Sequence, residues 1–198
     1  VHFDDRGRMA ACKLTVYLLE QSRIVAPAAG ERNYHIFYHL LAGASEAERR
    51  EWALLGSHSD YTYMRGEPRS PGIDDAALWL ETNRRMRGLG FGSEVQRRML
   101  FQQVAALLAL GNVTFARSAG SRDGVDVYEA ADPKQLHLAA RLLQVSPVQL
   151  GTLLTSRVML VNGERITVML NEEQCVDARD ALAKAGYSAL FNHLVDRL

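Results

Sequence analysis

Cysteine is scarce in this chain. Two occur in 198 residues, Cys12 and Cys175, and neither belongs to a CxxC pair or a Cys/His cluster. Two isolated thiols build no disulfide framework, and a reducing cytosol is the simplest compartment for them. There is no excess of either charge: Lys plus Arg and Asp plus Glu number 23 each. No net field therefore directs the chain to nucleic acid or an anionic membrane. No run approaches the roughly 18 apolar residues of a membrane-spanning helix, and no charged-then-apolar leader opens the chain. Internal repeats and low-complexity stretches are missing too. Val1-His2-Phe3 reads as a strand already under way and the last helical pattern reaches Leu198 without a stop signal, so an internal piece of something longer is expected.

Recognisable sites of chemistry are also missing. His35 and His39 lie four apart, a spacing that could place two imidazoles on one metal. Position 36 is Ile where an HExxH site needs Glu, and no third ligand stands nearby; packing and surface hydrogen bonding are the expected roles. Gly88, Gly90 and Gly92 imitate a phosphate loop, yet they follow a helical pattern rather than a strand, and no Lys-Ser/Thr pair comes after them. A helix end with a turn is expected there. Gly120 to Gly124 lacks the Walker lysine as well. No Ser/His/Asp or Cys/His arrangement follows from spacing. No catalytic, metal-binding or cofactor-binding residue can be named.

What is present is a 47% hydrophobic composition, enough for one compact domain with a substantial core. Val1 to Glu20 reads as a β-hairpin with Asp5-Arg6-Gly7 at the turn; Leu14, Val16 and Leu18 alternate with Lys13, Thr15 and Tyr17. Pro27 to Gly30 breaks the chain, and a helix is predicted from near Glu31, with Tyr34, Phe37, Tyr38 and Leu41 on one stripe. Ser45 and Glu48 form a capping-box pattern for a short helix through Trp52, followed by a polar loop with Pro68, Pro71 and Gly72. Asp74 can cap a helix toward Gly88. Ser93 and Gln96 open the next helix, wet at Arg97, Arg98, Gln102 and Gln103 and apolar all round from Val104 to Leu110. The basic clusters Arg49-Arg50, Arg84-Arg85 with Arg87, and Arg97-Arg98 read as solvated helix faces.

Arg117 to Asp126 reads as an exposed loop. Asp132-Pro133 and Ser146-Pro147 each place a cap before a proline at the first helical position, the second helix ending near Thr155. From Arg157 to Leu170 the period becomes that of strands: Val158, Leu160, Ile166 and Val168 flank Asn162-Gly163, a strong hairpin signal. Asn171, with Gln174 three residues on, caps a last helix roughly 40 Å long. Along it Lys184, Ser188, Asn192 and Asp196 form a polar stripe. Leu182, Leu190, Leu194 and Leu198 form an apolar one, with Tyr187, Phe191 and Val195 beside it. The residues alone predict a mainly α domain with β-hairpins.

Three stretches carry a resemblance. Tyr17-Leu18-Leu19-Glu20-Gln21-Ser22-Arg23, then Gly30-Glu31-Arg32-Asn33-Tyr34-His35-Ile36-Phe37-Tyr38, resembles the "YLLEKSR…GERNYHIFY" signature of myosin heads. Leu110-Gly111-Asn112-Val113-Thr114-Phe115 is similar to "LGNIxF". Ala178-Arg179-Asp180-Ala181-Leu182-Ala183-Lys184, followed by Tyr187 and Leu190-Phe191, is similar to "ARDALAKxxYxxLF". The order and spacing agree, and the stretches span nearly the whole chain.

The resemblance implies a fragment of the α/β P-loop NTPase fold of a myosin motor domain. Residues 1–20 would be the transducer hairpin, 31–155 the upper 50-kDa helices with Arg117 to Asp126 as loop four, 157–170 the actin-facing cardiomyopathy loop and 171–198 the long helix after it. The implied actin contacts are Arg157, Val158, Met159, Leu160, Val161, Asn162, Gly163, Glu164, Arg165 and Ile166. Glu164, sixteen residues before Asp180, would occupy the regulatory TEDS position, where a built-in negative charge removes the need for phosphorylation. Without the resemblance, Glu164 reads as a solvated charge after a tight turn. Gln21 stands where lysine is common, and Gly186 where a bulky aliphatic is usual, so the long helix is expected to bend or pack closely there.

By the same resemblance the P-loop, both switches, the converter and the lever arm lie outside this stretch. Mg-ATP would belong to the intact parent, an actin-activated ATPase, and no cofactor to this fragment. Its partners would be the actin filament and the remaining motor segments, with light chains reached only through the lever arm, and neither nucleic acid nor membrane. The implied location is the cytoplasm and the actin cytoskeleton. A myosin-like binding module without motor activity, and an unrelated helical scaffold, are the other readings.

Overall fold

Helix starts fall where short polar side chains can satisfy the first backbone N–H groups. A computed structural model of the protein describes residues 1–11, 19–54, 56–65, 72–120 and 126–197. It contains α1 (His35–Gly43), α2 (Glu46–Glu51), α3 (Asp75–Gly88), α4 (Glu94–Gly111), α5 (Pro133–Leu143), α6 (Pro147–Thr155) and α7 (Glu172–Val195). Ser45 and Glu48 close a reciprocal capping box on α2, and Asn171 and Gln174 close another on α7. Asp74, Ser93, Asp132 and Ser146 each accept a bond from a first-turn N–H of the next helix. Pro133 and Pro147 sit in the first turn, where a missing N–H costs nothing.

Among the described residues the strands form three separate antiparallel pairs: β1 (His2–Phe3) with β2 (Met9–Ala11), β3 (Phe115–Arg117) with β4 (Tyr128–Ala130), and β5 (Ser156–Val161) with β6 (Glu164–Met169). The β3–β4 pair is not foreseen by periodicity, because three-residue strands are too short to show it. Arg117, expected in a loop, ends β3 and pairs with Asp126. The alternation from Lys13 to Leu18, Cys12, Pro68, Pro71, the centre of the loop at 121–125 and Leu198 lie outside the described residues.

The core is organised around α4, whose stretch from Val104 to Leu110 is buried on every side. It packs against α1, α5 and α7. Trp79 of α3 lies against Phe101 of α4, ring centroids 4.4 Å apart. The first half of α4 corrects the expectation of a wet face. Arg97 is buried, and its Nη1 donates to the carbonyls of Phe91 and Gly92 at 2.6 and 2.9 Å. A buried guanidinium is tolerable when it satisfies backbone acceptors that would otherwise lack donors.

Two further differences have local causes. The first helix starts at His35 rather than near Glu31, because Asn33 is spent on tertiary bonds. Its Nδ2 donates to the carbonyls of Ile24 and Tyr63 at 2.8 and 2.6 Å. In α7 the most buried residues are Cys175, Arg179 and Ala183, one i, i+4, i+8 line, whereas Leu182, Leu190 and Leu194 are half-buried. Gly186 does not interrupt the helix; a Cβ there would come 3.1 Å from Leu107 Cδ2, so close packing is the outcome. Near its C-terminal half, α7 is tied to the segment before α1. Tyr34 stacks on Tyr187 at 4.3 Å, and Gln21 Nε2 donates to Ser188 Oγ at 3.3 Å.

Candidate partner-binding hairpin

The β5–β6 hairpin leaves the domain from between α6 and α7. Its register pairs Val158 with Thr167, Met159 with Ile166, Leu160 with Arg165 and Val161 with Glu164. Asn162 and Gly163 make the turn with φ of 52° and 86°, the two left-handed residues that a two-residue loop between twisted strands requires. Every residue from Arg157 to Thr167 is exposed. Strand alternation then sorts them. Arg157, Met159, Val161, Glu164 and Ile166 share one face; Val158, Leu160, Arg165 and Thr167 share the other. Glu164 thus stands next to the turn opposite Val161, and its carboxylate meets no cation among the described residues.

The base of the hairpin is fixed. Leu170 is buried and its N–H donates to the Thr155 carbonyl at 2.9 Å, joining the end of α6 to the start of α7. The capping box at Asn171 follows at once, with Asn171 N–H donating to Gln174 Oε1 at 3.1 Å and Gln174 N–H donating to Asn171 Oδ1 at 2.9 Å. The strands therefore leave from two anchored points and stay paired up to the turn at Asn162-Gly163.

The three stretches that carry the family resemblance converge elsewhere, on the segment Asp60–Met64. Asn33 binds the Tyr63 carbonyl. Asn112 Nδ2 donates to the Asp60 carbonyl, and Thr62 N–H donates to Asn112 Oδ1, both at 2.8 Å. Tyr63 Oη donates to Asp180 Oδ1 at 2.7 Å, and Arg179 Nη1 donates to the Val113 carbonyl at 2.9 Å. Burial, then the bond to Asp180, pushes the Tyr63 phenol pKa far above its ordinary value. Tyr61, Tyr63 and Met64 are buried in a stretch that sequence reading assigned to a polar loop. The run Tyr61-Thr62-Tyr63-Met64 was the signal of burial. These motif residues hold the fold together and leave the hairpin from Arg157 to Thr167 exposed.

The histidine pair is divided between two environments. His35 is exposed and His39 buried, rings 6.1 Å apart. Burial lowers the His39 pKa, against the Asp75 carboxylate 3.7 Å away. That carboxylate accepts a 2.7 Å bond from Arg32, whose guanidinium lies over the Tyr38 ring. Among the described residues no group of three His, Cys, Asp or Glu side chains could hold a metal ion, and no helix is long and apolar enough to cross a membrane.

A mainly helical domain with a projecting, two-faced hairpin anchored before a long capped helix is the arrangement expected of a myosin head. Residues 1–198 match the family profile described as Myosin head (motor domain). Over 200 residues the chain is 42% identical to unconventional myosin heavy chain 6 of Caenorhabditis elegans, all of this chain aligning with 9% of that protein. It is 40% identical over 205 residues to unconventional myosin IC of Drosophila melanogaster, all of it aligning with 19% of that protein. It is 34% identical over 199 residues to chitin synthase 5 of Cryptococcus neoformans, all of it aligning with 10% of that protein. The chain belongs to the myosin head (motor domain) family. It spans between 9% and 19% of the length of these three curated relatives.

The glycine runs of this stretch lack the Lys-Ser/Thr pair that holds the phosphates and metal of Mg-ATP, the cofactor the family implies. The sequence contains no GxxxxGK[ST], and Gly88 and Gly90 end α3 and turn the chain toward α4 instead of following a strand. No step of hydrolysis is assigned to any residue here.

Proposed function

We propose that this chain supplies actin attachment and strain coupling to an actin-based, ATP-driven motor, with the filament contacted by Arg157 to Ile166 and with Glu164 as its regulatory charge. In this reading residues 1–20 are the transducer hairpin, 31–155 the upper 50-kDa helices, 157–170 the actin-facing hairpin and 171–198 the helix that carries strain inward. The remaining motor segments are its intramolecular partners and supply Mg-ATP hydrolysis. The working location is the cytoplasmic actin cytoskeleton. Higher identity to the two unconventional myosins, 42% and 40% against 34% for the chitin synthase, favours a motor over a binding module.

The observation that carries the reading is the anchored hairpin, exposed from Arg157 to Thr167. Val158, Met159, Leu160, Val161 and Ile166 all keep large apolar surfaces in water, an arrangement typical of a surface awaiting a partner. Each such side chain contributes on the order of 1.5 kcal/mol when covered, and strands that are already paired lose less entropy on docking than a loose loop would. The free carboxylate of Glu164 adds orientation and salt-dependent attraction to a cation on the filament.

Glu164→Lys in the full-length protein tests the charge. Co-sedimentation with actin filaments should show about a tenfold loss of affinity at low ionic strength, shrinking as added salt screens exposed charges. Equal binding by variant and parent at every salt concentration would remove Glu164 from the contact.

A further inference from the structure

The hairpin is not the end of the exposed apolar surface. At its base lies an open groove of about 960 Å³, walled by α6, by the first residues of β5 and by α7. Val148 and Leu153 of α6 line it, and both are left in water, 77% and 57% exposed. Val158 of β5 lines it as well, 64% exposed, and Leu160, 72% exposed, follows on the same hairpin face. Val148, Leu153 and Val158 thus leave apolar surface open in the groove, and Val158 belongs to both groove and hairpin. Arg157 and Asp177 stand on the rim with opposite charges. Exposed apolar side chains gathered about one groove are typical of a surface that another molecule covers.

We infer that the actin contact extends from the hairpin into this groove, which receives a projecting apolar side chain of an actin subunit. The inference rests on the hairpin as the actin-binding element. Continuity through Val158 selects the filament as occupant: Val158 lines the groove and belongs to the hairpin that this reading places against actin. The rim of one basic and one acidic group suits an apolar projection flanked by polar groups of both signs. Glu164 faces the other side of the sheet, together with Met159, Val161 and Ile166.

Actin-filament co-sedimentation of the full-length protein with Val148→Asp, Leu153→Asp and Leu160→Glu separates the possibilities. A charge placed in a covered apolar contact should weaken binding about tenfold in each variant, while Leu80→Asp, on exposed α3 surface away from the groove, binds as the parent does. Leu160→Glu weakening binding with Val148→Asp and Leu153→Asp inert would overturn the groove and leave the hairpin standing. All three inert would overturn both. A second measurement covers the case in which a charged variant fails to fold. Leu153→Cys should react readily with a maleimide, and filaments should slow that reaction at least fivefold. Slow labelling before actin is added would mean that another part of the protein already fills the groove, and unchanged labelling in filaments would mean that actin never enters it; either result rejects the inference.

Discussion

Tyr63 joins more of the molecule than any residue singled out from periodicity. Its carbonyl receives Asn33, its hydroxyl reaches Asp180, and its ring lies where a Cβ on Gly111 would fall, 2.6 Å from Cδ2. Two predictions belong at this scale. Tyr63→Phe keeps the ring and removes one bond to a carboxylate, so urea unfolding should report a loss of about 1.5–3 kcal/mol. Gly111→Ala drives a methyl into a ring that its own hydroxyl holds in place, and the overpacking should destabilise by about 1–3 kcal/mol. A Gly111→Ala variant as stable as the parent would show that the ring can move aside, contrary to the role given to its bonds. In the hairpin, Gly163 answers to conformation rather than space: nothing lies within 4 Å of an added Cβ, yet φ is +86°.

Among the elements, α7 connects the hairpin to the interior. It begins at a reciprocal cap immediately after Leu170, buries Cys175, Arg179 and Ala183 on one line, and reaches Tyr34 through Tyr187. The hairpin base and the Tyr34–Tyr187 stack are thus joined by one continuous helix about 36 Å long. Asn171→Ala removes the acceptor for the Gln174 N–H and should cost about 1 kcal/mol of stability, read as a lower urea midpoint. It should also speed amide hydrogen exchange at the start of α7 and in Leu170, because the anchor of the strand lies in the same turn. A variant with a lowered midpoint but unchanged exchange there would place the cost elsewhere.

For the whole molecule, buried acids decide the response to alkaline pH. Burial, then the Glu172 charge, pushes the Cys175 thiol from 9.0 up to about 11. Burial likewise raises the phenols of Tyr61, Tyr63 and Tyr187 above 10.0. In each case the folded state favours the protonated form, so the unfolded chain loses protons first. Their stabilising contribution is complete below about pH 9 and is lost as the pH rises through the folded values, beginning with the thiol between about 9 and 11. Urea midpoints should stay level from about pH 7.5 to 8.5 and then fall, with a shallower fall in Cys175→Ala. A midpoint that rises toward about pH 10.5 would contradict this. The 198-residue chain should also give no saturable heat when titrated with Mg-ATP, since none of its glycine runs has the lysine and hydroxyl that hold phosphate and metal; micromolar binding would reverse that assignment.

Much of this was legible in sequence because it is local. The caps at Ser45, Asp74, Asp132, Ser146 and Asn171 depend on a few successive residues, and Asn162-Gly163 specifies its own turn. The burial of Val104 to Leu110 follows from an apolar circumference. By itself, then, the sequence determined the helices, the hairpin with its turn, and the family; the register that puts Ile166 and Val168 on the face opposite Val158 and Leu160 came with the strand pairing. Contacts between distant residues were decided only by the tertiary structure. Arg97 looks like a surface cation until the Phe91 and Gly92 carbonyls are found within its reach. Asn33 looks helical until Ile24 and Tyr63 claim its amide. The short β3–β4 pair has too few residues to show a period. The groove beside Val158 has no sequence signature, because its walls come from α6, β5 and α7 and exist only once those elements pack.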